Sequence, residues 1–199
     1  MSLAQEAVRR SLSRRQDEAE AEVRRIIKAG RDLLTKERNA RVADIVQASG
    51  VSNDAFYRYF KSKDDFVAAV IEDGGTRLAD YLGRQMAKRN SNEDKLRAAI
   101  EAVMSQAMDP SVAIATKNVR ANETGRQRET GVRLRVEEAL AQPLRGLLVD
   151  LGASEPDRDS RVTACLLLST VDNFLSRDVT PSKKDLDHLA AFVLAAVRR

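Results

Sequence analysis

The sequence predicts an all-α protein of about nine helices, a three-helix N-terminal unit followed by a larger helical body. Three observations predict it. Only four prolines and nine glycines interrupt the 199 residues. Ala, Leu, Arg and Glu, which lose little side-chain freedom in a helix, recur throughout. Apolar residues return at three-and-four spacing, the period that places them on one helix face. A chain of this length buries a sizeable core.

The elements follow in order. Residues 17–36 set Ala19, Val23, Ile26, Ile27, Gly30, Leu33 and Leu34 on one stripe, which predicts a first helix. Val42, Ile45, Val46 and Ser49 predict a short second helix closed by Gly50, the residue that enters the left-handed region without penalty. Ser52 is placed to cap a third helix, Asn53 to Phe60. Ser62, Lys63, Asp64 and Asp65 give the next start signal, for a fourth helix running to Met86 or Asn90 with Gly74 and Gly75 at its middle as a candidate kink or hinge. Ser91 to Asp94 starts a fifth helix carrying Leu96, Ile100, Val103, Met104 and Ala107, ended by Asp109 and Pro110.

A sixth helix is predicted over Val112 to Asn122 and a seventh over Thr130 to Leu151, kinked or split at Pro143. Val162, Ala164, Cys165, Leu166, Leu167, Leu168 and Val171 occupy nearly every side of an eighth, which therefore needs cover all round. Ser182 and Asp185 start a ninth with Leu186, Leu189, Ala190, Val193, Leu194 and Val197 on a single stripe. The expected division is residues 1–63 and residues 64–199.

One cysteine, Cys165, and one histidine, His188, exclude a disulfide framework and a Cys/His zinc cluster, and place the chain in a reducing cytoplasm. No segment has the run of about 18 apolar residues that a membrane span needs. With no glycine-rich phosphate loop and no nucleophile elbow, no enzyme activity and no cofactor are expected. Residues 1–63 hold 14 Lys and Arg against 9 Asp and Glu, and the remainder hold 20 against 21. The N-terminal excess fits a DNA-facing domain, with chance asymmetry in a charged helical chain as the alternative.

Residues 42–60 meet the demands of a helix-turn-helix: a flexible turn residue, apolar locks between the two helices, and exposed polar residues early in the second. Val42 to Ser52, with Gly50-Val51-Ser52 at the turn, and Ala55 to Lys63, with the aromatic run Phe56-Tyr57-Arg58-Tyr59-Phe60, closely resemble the DNA-binding motif of the TetR family. The resemblance covers about residues 19–70. Val51, Phe56 and Phe60 are spaced to pack the third helix inward, while Tyr57 and Arg58 face outward toward phosphates, as does Lys63 at the start of the fourth helix. The resemblance implies that Asn53, Asp54 and Ala55, after the cap Ser52, read bases, with Arg41 at the start of the second helix and Tyr59 in support. The family often has Gly and Thr where this chain has Asp54 and Ala55, threonines in place of Ala40 and Arg41, and a small alanine in place of Val46. Arg9, Arg10, Arg14 and Arg15 form either a basic arm for the minor groove or a solvated or helical extension; the surrounding Glu6, Asp17, Glu18, Glu20 and Glu22 favour the second.

The same resemblance implies a homodimer through the last two helices, a double-stranded palindromic operator as partner, and a C-terminal domain that binds a small-molecule effector. Candidate lining residues, adaptable or polar groups near apolar faces, are Tyr81, Met86, Met104, Met108, Asn118, Cys165, Asp172 and Asn173, with Arg120, Arg126 and Arg128 at a pocket mouth. The chain lacks tryptophan, and beyond residue 70 its aromatics are Tyr81, Phe174 and Phe192, which favours an aliphatic or acyl-type effector. The expected mechanism is repression by the free dimer and release when the effector shifts the fourth helix. The alternative is a DNA-binding organiser or partner-controlled protein of the same fold without a sensor.

Overall fold

The computed structural model describes residues 2–123 and 131–198. In chain order they form α1 (Leu3–Leu34), α2 (Val42–Ser49), α3 (Asn53–Tyr59), α4 (Lys63–Met86), α5 (Asn92–Met108), α6 (Pro110–Ala121), α7 (Val132–Asp150), α8 (Pro156–Ser176) and α9 (Lys183–Val197), with no strand among the described residues. Thr130, Arg126 and Arg128 lie outside them.

The predicted start signals are the helix caps. Ser52, Ser62, Ser91 and Ser182 each accept a hydrogen bond from the backbone N–H three residues on, and Asp109 does the same work for α6, whose first residue is Pro110. Gly50 closes α2 at φ 65°, a left-handed turn that lets α3 leave at a steep angle.

Two expectations are corrected. The first helix begins at Leu3 rather than near residue 17, and the basic segment is the helical extension that its flanking acids favour. Ser2 and Gln5 cap it reciprocally, and side-chain bonds four residues apart (Arg14 to Glu18, Gln16 to Glu20, Arg24 to Glu20) lace its exposed surface. Pro143 does not split α7, which runs unbroken through it. Proline takes the helical φ and removes one N–H bond, and the burial of Leu140, Leu144, Leu147 and Leu148 around it holds the helix together.

Apolar side chains gather into two clusters. Ile26, Leu34, Ile45, Phe56, Phe60, Phe66, Val67 and Val70 form the first, from α1 to the opening turns of α4. The second is built around α5, which packs on α4, α6, α7, α8 and α9, and its buried members are aliphatic or methionine, including Leu82, Ile100, Met104, Leu140, Leu144 and Leu167. The helix α4 contributes to both clusters and so joins them mechanically.

The pair Gly74 and Gly75, read from the sequence as a candidate hinge, lies within continuous helix. A Cβ on Gly74 would meet nothing within 4 Å, whereas one on Gly75 would sit 2.8 Å from Cγ2 of Val136 on α7. The second glycine therefore permits a close helix crossing. Gly74→Ala should raise stability by up to about 1 kcal/mol, the difference in helix propensity. Gly75→Ala should lower it by about 1–3 kcal/mol by prising α4 from α7. Denaturant unfolding of the two variants checks this, and equal effects would contradict the crossing.

Candidate nucleic-acid interface

The second helix of the motif, α3, is locked from below. Phe56 is fully buried, with ring centroids 5.4 Å from Phe60 and 5.5 Å from Phe66, and Phe60 and Phe66 meet edge to face at 5.1 Å. Three aromatic rings thus hold α3 against α4, and Val51 and Val46 pack against the same cluster. A fixed inner face means that the outer face is presented as a rigid ridge.

On that ridge Ser52, Asn53, Asp54, Tyr57 and Arg58 are exposed. Tyr57 keeps 54% of its surface open while its ring stands edge-on to Phe56 at 5.3 Å, so the phenol is held outward. The Arg58 guanidinium lies 5.9 Å from the centre of the Tyr59 ring. Arg41 is exposed at the N-cap of α2, its backbone N–H donating to Asp44 at 2.7 Å, and Lys63 stands half-buried in the first turn of α4. Amide, carboxylate, phenol and guanidinium together supply donors and acceptors for base edges and phosphates.

Two site residues are held away from open solvent. Ala55 is only 8% exposed, because it lies on the inner side of α3 beside Phe56. Tyr59 is tethered: its hydroxyl donates to Glu22 of α1 at 2.6 Å. That carboxylate, by accepting the bond, raises the Tyr59 pKa above its ordinary value and keeps the phenol protonated. Its role is to fix the end of α3 to α1.

The eight residues read as pocket-lining stand in different surroundings. Met104 is fully buried and Met86 nearly so, within the aliphatic core; Tyr81, Met108, Cys165 and Asn173 face outward. Asp172 bridges Arg120 and Arg133, a geometry set by charge pairing across α6, α7 and α8. Two surface grooves, of about 430 Å³ between α1 and α3 and about 300 Å³ between α7 and α8, are lined by none of the eight.

Asn118 has a different task. Its Nδ2 donates to the carbonyl of Thr35 at 2.8 Å and its Oδ1 accepts from Arg38 Nε at 3.2 Å, while Asn122, one turn on, donates to the carbonyl of Glu37 at 2.9 Å. Both asparagines are buried. They hold the end of α1 to α6, and Arg31 of α1 pairs with Asp73 of α4 at 2.5 Å. These bonds join residues more than forty positions apart in the chain, and no local spacing in the sequence announces them.

A helix-turn-helix with a rigid, polar outer ridge on an all-helical body defines a DNA-binding transcription regulator. Residues 26–70 match the family model described as bacterial regulatory proteins, tetR family. Solved structures with the same fold include RolR in complex with its ligand resorcinol (TM-score 0.70, 16% identity, 92% of this chain and 90% of that one). The fatty acid degradation regulator FadR from Bacillus halodurans (TM-score 0.55, 23% identity, 87% and 96%) is another. So is NalD of Pseudomonas aeruginosa, the secondary repressor of the MexAB-OprM multidrug efflux pump (TM-score 0.56, 17% identity, 92% and 98%). No curated protein matches the chain in sequence. Among the described residues no helix is long and apolar enough to cross a membrane.

Proposed function

We propose that the chain is a cytoplasmic repressor that binds a palindromic operator as a homodimer, one α3 in each of two successive major grooves, and leaves it when an effector binds the C-terminal body. Residues 1–63 carry the DNA contact and residues 64–199 sense and dimerise. The observation that carries the reading is the outward set Asn53, Asp54, Tyr57 and Arg58 above a buried aromatic lock. Dimerisation through α8 and α9 is supported by Val162 and Phe192, which remain 60% and 57% exposed although the sequence demands cover for the eighth helix.

Mutation separates phosphate binding from base reading. Arg58→Ala should weaken binding to all duplexes by a similar factor and reduce the slope of log Kd against log salt by about 1 for each phosphate no longer neutralised. Asn53→Ala should instead relax preference at one position of the operator, by about 1–3 kcal/mol. Fluorescence anisotropy across a salt series reads both. If neither variant changes affinity or specificity, α3 is not the reading element.

An effector entering the body meets aliphatic walls, with Met86 and Met104 as adaptable members, which supports a straight-chain or acyl-type molecule. Release then runs through α6, whose asparagines grip the end of α1, and through α4, which belongs to both clusters. The second reading, a regulator controlled by a partner rather than by a small molecule, is favoured by the scatter of the eight candidate residues. Straight-chain carboxylic acids in a thermal-shift series distinguish the two, since a ligand bound only by the native state raises the melting temperature with concentration.

A further inference from the structure

We propose that the N-terminal half of α1 is a second DNA-binding element, a helical strut that lies along the phosphates flanking the operator; the inference rests on the DNA-binding reading of α3. The described residues from Ala7 to Glu18 are all exposed, so this stretch projects beyond the helix-turn-helix core instead of packing on it. Sixteen residues, Leu3 to Glu18, make a strut of about 24 Å, enough to follow roughly seven base pairs.

Charge and position select the partner. Ala7 to Gln16 contains four arginines and no acid, and the acids of the strut, Glu6, Asp17 and Glu18, stand at its two ends. Arg14 pairs with Glu18 at 2.9 Å, while Arg9, Arg10 and Arg15 make no ion pair among the described residues. A surface that is cationic, extended and otherwise without a partner suits a polyanion, and arginine suits phosphate oxygens in particular. The strut is also continuous with the ridge that carries the reading residues. Arg15, Glu22 and Arg25 of α1 and Arg58 and Tyr59 of α3 line one groove, and the bond from Tyr59 to Glu22 fixes the two helices there. A duplex seated on α3 therefore runs beside the base of the strut. Val8 and Leu12 are exposed on the stripe that continues through Ala19, Val23 and Ile26, so a second copy of the chain is the competing occupant.

The test uses two duplexes with the same selected operator, one trimmed to it and one extended by about ten base pairs on each side. The full chain should bind the extended duplex about tenfold more tightly at low salt, since additional phosphates are neutralised. The combined variant R9Q and R10Q should lose most of that advantage, lower the salt slope by about 2 per protomer on the extended duplex, and bind the trimmed one unchanged. Glutamine keeps helix propensity, and circular dichroism verifies that the helix persists; a chain lacking residues 2–11 should behave in the same way. A variant that keeps the flank advantage overturns the proposal. So does one that loses it together with mass in sedimentation, which assigns the strut to association between copies. If the full chain binds neither duplex, the reading of α3 fails first, a result distinct from losing the flank advantage alone.

Discussion

Replacing Gly30 with alanine should lower the stability of the helix-turn-helix core by about 3 kcal/mol, the upper part of the range for overpacking a filled interior. A Cβ at that position would lie 2.0 Å from Cζ and 2.7 Å from Cε1 of Phe66. The ring has nowhere to retreat. Phe66 is fully buried and pressed by Phe56 and Phe60, so the added methyl must either displace the ring, and with it the floor under α3, or force α1 away from α4. Thermal or denaturant unfolding reads the loss. Phe66→Leu, which alone removes packing, should be less harmful in the alanine background than in the wild type, because the smaller side chain makes room for the new methyl. Additive effects of the two substitutions, or a Gly30→Ala variant as stable as the parent, would refute the close approach of α1 to α4.

The second large effect is on assembly. Val162→Glu combined with Phe192→Glu should leave the fold intact, as both side chains stand mostly in solvent on a single chain and glutamate is a good helix former. In a two-fold interface each substitution brings a carboxylate against apolar surface that had excluded water, which strongly disfavours association. The variant should sediment as a monomer and bind the operator at least about 100-fold more weakly, because the second half-site is no longer held near the first. A variant that stays dimeric places the interface elsewhere.

Much of the fold was legible in the sequence because the signals are local. A serine three residues before a backbone N–H, Gly50 after a short apolar helix, and the Phe56 to Phe60 aromatic run each act within a few positions, and the structure places them as read. The rest is decided by residues distant in the chain. The burial of Ala55 beside Phe56, and the bond from Asn118 to the end of α1 more than eighty residues earlier, depend on such packing. Pro143 illustrates the same override, since the buried leucines on either side outweigh one missing hydrogen bond. The glycines of α4 look alike in the sequence and differ in the fold, because only Gly75 faces Val136.

The most direct test of the account is selection of binding sites from random duplex DNA by the full-length chain. A paired ridge predicts an enriched inverted repeat whose half-sites are centred about 10 base pairs apart, or a multiple of that spacing. Enrichment of no sequence, or of one unpaired half-site, would contradict it.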